Sequence, residues 1–247
     1  MNSYGISHKG YVRNENQDAF INMDVKIGPL KNVYIVADGM GGHKGGAMAS
    51  RLTVDTIVDT IRKSEALVVS TLHESVDRAN EVIFDKALND GSLFGMGTTV
   101  EVVTIEDHIC HVAHIGDSRV YAVSDQGLIQ LTKDHSYVQE LVDSGAITRE
   151  EAYHHPNKNR ITKALGVDKK VEPDFKEFSI KDDWEYILIC SDGLSNMIKD
   201  DEILFFIKKD GTIEERVDAM LRKALDLGGT DNITIVLIAL RGGAHND

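Results

Sequence analysis

Hydrophobic positions in this chain fall into two kinds of run. Short blocks rich in β-branched residues, at Val33–Ala37, Thr98–Ile105, Ile109–Ile115, Val120–Val123, Trp184–Cys190 and Asn232–Leu240, predict strands. Elsewhere the spacing is helical: Val54, Ile57, Val58 and Ile61 recur at i, i+3, i+4 and i+7, and Leu72, Val76, Ala79, Ile83 and Ala87 follow nearly the same rule. Ile213, Val217, Met220, Leu221 and Ala224 predict a further helix, which Gly228 and Gly229 would end.

The order of these elements decides the fold class. Two long helices are neighbours in sequence, and the central block is a succession of strands joined by polar turns such as Ser124-Asp125-Gln126-Gly127. A doubly wound parallel sheet would alternate strand and helix, so the expectation is an α+β domain of mainly antiparallel sheet with helices packed outside. No repeat, low-complexity segment or linker interrupts residues 1–247, which predicts a single domain. Residues 136–165 differ in being polar and partly helical, the pattern of a surface insertion.

Composition narrows the class. Apolar residues make up 42% of the 247, enough for a core. A formal net charge of -13 disfavours a nucleic-acid binder, which needs a basic face. The two cysteines, Cys110 and Cys190, sit inside apolar runs, which predicts buried thiols in a reducing compartment rather than a disulfide framework. The longest apolar stretch, Ile233–Leu240, is too short to cross a bilayer, and the N-terminal residues lack a basic-then-apolar pattern, so a cytoplasmic protein without membrane insertion is expected.

The chemistry is concentrated where strands end. The strand at Val33 runs into Asp38-Gly39-Met40-Gly41-Gly42-His43, the one at Trp184 into Ser191-Asp192-Gly193, the one at Ile109 into Gly116-Asp117, and Asp231 precedes the last strand. A lone Asp-Gly is ordinarily a turn; four strand-edge aspartates, three beside glycine, predict carboxylates gathered at one end of a sheet. Carboxylates that close repel unless protonated or bridged by a cation. An all-oxygen donor set selects Mg²⁺ or Mn²⁺ over zinc. Two such ions about 4 Å apart would activate water against a phosphate ester, and Arg13 is the candidate to neutralise the phosphate.

Covalent phosphatase chemistries lack their residues. Six positions after Cys190 stands Asn196, and after Cys110 Gly116, where a cysteine-nucleophile phosphatase needs arginine. There is no Asp-x-Asp pair for an aspartyl-phosphate enzyme, and no His-Asp metal motif. His108, His111 and His114 resemble a ligand series, but a spacing of three alternates faces in a strand. Arg119 is expected in a structural ion pair, Ser136 or Asp134 near a helix start, and His154-His155 in a solvated loop.

The ordered set Arg13-x-x-Asn16-Gln17-Asp18, Asp38-Gly39-Met40-Gly41-Gly42-His43, Gly97-Thr98-Thr99, Gly116-Asp117-Ser118-Arg119, Ser191-Asp192-Gly193 and Asp231-Asn232 resembles the metal-dependent serine/threonine protein phosphatases of the 2C type, in their compact bacterial form. The resemblance implies a four-layer α-β-β-α sandwich with a metal centre between the sheets. It implies two core Mn²⁺ or Mg²⁺ ions bridged by Asp38, with the Gly39 carbonyl on one and Asp192 and Asp231 on the other. Asp18 would act through a water, Asp117 with Asp192 would hold a third ion, Arg13 would grip the phosphate, and residues 137–165 would form a flap. It further implies a monomer that acts on phosphorylated proteins and opposes a serine/threonine kinase. Met40 stands where many eukaryotic members have a histidine proposed as the general acid; His43, three residues on, is either the candidate acid or a turn residue before the helix, a metal-bound water then protonating the leaving group. A non-catalytic phosphopeptide-binding module on the same fold is the alternative, disfavoured because Arg13 and the aspartates are all present.

Overall fold

The computed structural model describes residues 1–41 and 45–240. In chain order it contains β1 (Asn2–His8), β2 (Asp18–Met23), β3 (Val33–Met40), α1 (Gly45–Lys63), α2 (Val68–Asn89), β4 (Gly97–Thr98), β5 (Val100–Glu106) and β6 (Ile109–Ile115). There follow β7 (Arg119–Ser124), β8 (Gly127–Gln130), α3 (Tyr137–Asp143), α4 (Arg149–Tyr153), β9 (Asp174–Ser179), β10 (Trp184–Cys190), α5 (Asp192–Ser195), α6 (Asp200–Lys208), α7 (Ile213–Asp226) and β11 (Ile233–Ala239).

The strands form two antiparallel sheets, one ordered β1-β11-β10-β7-β8 and the other β2-β3-β5-β6-β9, with β4 paired to β3. Alternation along each strand explains the layers, because successive side chains point to opposite faces. In β3, Tyr34 and Val36 point inward and meet Ile187, Ile189, Val236 and Ile238 of the opposing sheet. Val33, Ile35 and Ala37 point outward and are covered by Ile57 and Ile61 of α1 and Val76 and Ile83 of α2. On the other flank, Leu188, Ile235 and Leu237 are covered by Ile203 of α6 and by Val217 and Met220 of α7. The result is the expected four-layer sandwich. Its central strands are covered on both faces, which is why they run as continuous apolar blocks. Each such aliphatic side chain stabilises the fold by about 1.5–3 kcal/mol when removed from water.

Helix ends follow local chemistry. α7 starts in a reciprocal capping box, with the Thr212 hydroxyl accepting from the Glu215 amide and the Glu215 carboxylate accepting from the Thr212 amide. It stops at Gly228 and Gly229, both at positive φ.

Two sequence expectations need correction. The strand expected over Thr98–Ile105 breaks at Thr99, because Gly97–Thr98 turns aside to pair with Gly39 and Met40, while the Thr98 amide donates to the Leu165 carbonyl. The unforeseen strands β1, β2, β8 and β9 are the four sheet edges; half-exposed residues there carry no continuous apolar run.

Between β8 and β9 the chain leaves the sandwich. Ser136 caps α3 by accepting from the Gln139 amide, and the Tyr137 amide donates to the Arg160 carbonyl, so the excursion's two arms are tied together. The Tyr153 hydroxyl donates to the Asn196 carbonyl and fixes α4 against the body.

Candidate metal centre

Five aspartates meet at one end of the sandwich. Asp18 opens β2 and lies directly opposite Asp38 of β3 in the antiparallel register. Asp117 sits in the turn from β6 to β7, Asp192 opens α5 directly after β10, and Asp231 precedes β11. Both sheets therefore contribute. The two Asp-Gly glycines are required for space rather than for their backbone angles. A Cβ on Gly39 would fall 2.1 Å from the Gly46 carbonyl oxygen, and one on Gly193 1.9 Å from that of Asn232.

Asp18 is the deepest of the set by its partners. Its Oδ2 accepts from Ser191 Oγ at 2.8 Å and from Thr234 Oγ1 at 2.6 Å, both across the sheet interface, while its Oδ1 is buried without a partner among the described residues. Asp192 accepts from Asn196 Nδ2 at 2.9 Å through Oδ2, and its Oδ1 is likewise unpaired. Arg13, half-exposed at the rim, donates to Asp231 Oδ2 at 2.7 Å. That bond leads the causes raising its guanidinium above the ordinary value.

Burial and crowding make the cluster reluctant to ionise. Burial, then the charges of Asp192 and Asp231, push Asp18 up to about 7 even though two hydroxyls pull the other way. Asp192 is pushed to about 6 by burial and by Asp231. Asp38 lies well above the carboxylate range, first through burial and then through Asp18, Asp192, Asp117 and Asp231. Asp117 is raised by burial and by Asp192. Buried carboxylates that lack donors and repel one another are the arrangement a hard cation relieves. Among the described residues no three acidic, histidine or cysteine side chains close around a single point. The donors on offer are carboxylate oxygens, a backbone carbonyl and space for water, in keeping with Mg²⁺-type ions that retain several waters.

A cleft of about 780 Å³ opens over the cluster, lined by Arg13, Asp38, Gly39, Asp117, Asp192 and Asp231. Asp18 lies behind this wall. His43 falls outside the described residues. Asn159 and Ile161, from the excursion between β8 and β9, also line the cleft; nothing in their sequence setting marked them. Thr234 and Ser191, which hold Asp18, were also missed as site residues, being buried hydroxyls in apolar surroundings. The discounted residues behave as expected: Arg119 pairs with Asp134 at 2.7 Å, and His111 and His114 lie on opposite faces of β6, beside Glu177 and Glu101 respectively.

The protein phosphatase 2C family model matches residues 7–226. The chain belongs to the protein phosphatase 2C family. As a 2C-type protein phosphatase it is 37% identical over 240 residues to the serine/threonine phosphatase stp of Listeria monocytogenes, which covers 93% of this chain and 92% of that one. Its fold matches the crystal structure of the serine/threonine phosphatase Stp1 from Staphylococcus aureus with a TM-score of 0.90 at 33% identity, over 97% of this chain and 95% of that one. The catalytic domain of the serine/threonine phosphatase PstP, solved with two manganese ions, matches with a TM-score of 0.83 at 32% identity over 97% and 98% of the two chains. The phosphatase is thus a protein serine/threonine phosphatase of a metal-dependent family. Among its described residues no helix is long and apolar enough to cross a membrane.

Proposed function

We propose that the five-aspartate cleft is the catalytic centre, where phosphoserine and phosphothreonine on proteins are hydrolysed with two core Mn²⁺ or Mg²⁺ ions. The observation carrying this is the pair of unpartnered carboxylate oxygens, Asp18 Oδ1 and Asp192 Oδ1, buried where the charge of Asp231 opposes the ionisation of both. Asp38 would bridge the ions, Gly39 would offer its carbonyl, and Asp192 and Asp231 would complete the shell. Asp18 would act from behind through water, and Asp117 with Asp192 would hold a third ion. When bound, such ions supply an activated water near neutral pH and neutralise phosphoryl oxygens.

The chain's own groups do the rest. Arg13 donates to Asp231 and has a fork of donors suited to a phosphate's oxygens. Gly39, without a side chain, lets the backbone after Asp38 lie against Gln17 and Gly46, which holds that carboxylate at the mouth of the cleft. The excursion over residues 137–165 serves as a flap, bringing Asn159 and Ile161 to the cleft edge where the peptide part of a substrate would pass. His43, which lies outside the described residues, is proposed from the family resemblance alone as the side chain that protonates the departing alkoxide, a metal-bound water being the alternative. The physiological counterpart is a serine/threonine kinase whose targets this enzyme dephosphorylates.

Turnover of a phosphothreonine peptide with Mn²⁺, abolished by EDTA and by Asp38→Asn, is the expected result. Undiminished turnover in Asp38→Asn would sink the assignment. Accumulation of phosphoserine and phosphothreonine sites in cells carrying Asp38→Asn tests the kinase-opposing role, and an unchanged phosphoproteome would contradict it.

A further inference from the structure

The loop that carries Arg13 has no regular structure, and its residues Tyr11–Glu15 are exposed. Something else must hold it, since a loose arginine surrenders the benefit of a preorganised grip. The Asn232 side chain meets that need. It is 4% exposed, and every hydrogen-bonding group of its carboxamide is engaged by this loop. Its Oδ1 accepts from the Gln17 amide at 2.8 Å, while its Nδ2 donates to the Lys9 carbonyl at 2.8 Å and the Glu15 carbonyl at 3.0 Å. One side chain thus clamps both ends of the loop, and it adjoins Asp231, on which Arg13 rests. Backbone support comes only near the loop's two ends, where Gly229 accepts from the Tyr11 amide at 2.8 Å and the Gln17 carbonyl accepts from the Gly39 amide at 3.1 Å; among the described residues no backbone bond of this kind reaches Arg13–Asn16.

We infer that Asn232 is a positioning residue for phosphate recognition: its carboxamide fixes the Lys9–Gln17 loop so that Arg13 is presented to the substrate's phosphate. This rests on the phosphate-binding role proposed for Arg13. An aspartate at this position keeps the shape but turns two donors into an acceptor facing two carbonyls. An alanine leaves all three loop groups to water.

The test compares Asn232→Ala and Asn232→Ser with wild type, in the presence and absence of Arg13→Ala, using a phosphothreonine peptide with Mn²⁺. Expected in both Asn232 variants is a rise of about tenfold in KM and in the inhibition constant of inorganic phosphate, the size of one lost charged-group hydrogen bond. The Mn²⁺ concentration for half-maximal activity stays within about twofold, since the carboxylates are untouched. Because Asn232 acts through Arg13, the substitutions are non-additive: in the Arg13→Ala background neither Asn232 change weakens phosphate further. Trypsin cleavage after Lys9 and Arg13, read by mass spectrometry on the folded protein, is faster in the variants. The inference is overturned if phosphate inhibition is unchanged while the Mn²⁺ requirement rises, or if the two effects multiply. If Asn232→Ala does not fold, Asn232→Ser, which keeps one donor and acceptor, decides by the same cycle; collapse of both variants would make Asn232 a residue of the fold and overturn the inference. If Arg13→Ala itself leaves KM and phosphate inhibition unchanged, the Arg13 role fails first.

Discussion

Removing the central carboxylate should make the metal-free enzyme more stable and inactive at once. Asp38 is flanked by Asp18, Asp192, Asp117 and Asp231, all of which oppose its ionisation after burial has done so. Its neighbours show the scale. Asp18 moves from 3.8 to about 7 and Asp192 from 3.8 to about 6. Full ionisation of carboxyls so placed costs on the order of 3–4 kcal/mol each, at about 1.4 kcal/mol per tenfold, although the sites are coupled and the figures do not add. The sign follows from linkage: a folded pKa raised above the unfolded one gives stability that is complete below about 4 and lost as pH rises through about 6 to 7. Asp38→Asn removes one of the mutually repelling charges without changing shape. In EDTA at pH 8 the variant should therefore be more stable than wild type by about 2–4 kcal/mol, or roughly 4–16 °C in melting temperature for a chain of this size.

At pH 5, below the values of about 7 and about 6 to which Asp18 and Asp192 are pushed, the advantage should shrink to near zero. With Mn²⁺ at pH 8 the order should reverse, because only the wild type keeps the full donor set and binding to the folded state alone adds stability. Thermal melts of both proteins at pH 5, 6, 7 and 8, with EDTA and with Mn²⁺, measure all of this in one grid. Parallel wild-type and variant curves in EDTA across the whole range would refute the reasoning, since they would mean that no repulsion is stored at the site.

Other substitutions probe single contacts. Arg13→Lys keeps the charge but loses the fork, and steady-state kinetics should show kcat/KM for a phosphothreonine peptide down about tenfold, with Arg13→Ala worse. Thr234→Val removes a 2.6 Å donor to Asp18; its carboxyl should rise further, and Mn²⁺ titrations of activity at pH 7 should need a severalfold higher concentration. Glu101, fully buried, is pushed up to about 7 by burial despite its contact with His114. Burial draws His114 down, but Glu101 outweighs it and the net movement is upward. Both shifts are upward, so wild type loses stability from about pH 4.5 to beyond 7. Urea unfolding of Glu101→Gln, referenced to pH 5, should show this loss reduced by on the order of 1–3 kcal/mol at pH 8. His43→Ala should depress the rate most for alkyl phosphoesters with poor leaving groups, and an unchanged pH–rate profile would remove His43 from the reaction.

What the sequence disclosed of the fold was its interior. Val33–Ala37, Ile109–Ile115 and Trp184–Cys190 lie in central strands buried on both faces, so their apolar runs survive inspection without any partner in view. Asn2–His8, Asp18–Met23, Gly127–Gln130 and Asp174–Ser179 are edges, and their identity as strands comes from the neighbour they pair with. Pairing is a long-range fact: β1 joins β11, more than two hundred residues away. The same division runs through the site. Aspartates beside glycine at strand ends were visible as local punctuation. The hydroxyls of Ser191 and Thr234 were not, because a serine or threonine in a strand has no local mark that it faces a carboxylate across a sheet interface. Asn159 and Ile161 were invisible for a further reason: pairing of Ser136 with Ile161, with amide hydrogen bonds from Tyr137 to the Arg160 carbonyl and from Thr162 to the His135 carbonyl, ties that polar segment beside the cleft.

The placement of Asp18 shows why the centre and the sandwich cannot be treated separately. It belongs to the β2–β3 sheet, yet both donors to its Oδ2 come from the other sheet, Ser191 at the end of β10 and Thr234 in β11. Asp38 comes from the first sheet, Asp192 and Asp231 from the second. Like charges on these two groups would oppose one another across the sheets at this end, while the Asp18 hydroxyl bonds and the inter-sheet core hold the sheets together. A cation shared between Asp38 and Asp192 would turn the same contact from repulsive to attractive. Stability stored elsewhere in the four layers is what allows such a cluster to exist in the metal-free fold. For that reason Asp38, the carboxylate proposed as central to catalysis, is also the one whose loss should most relax the protein.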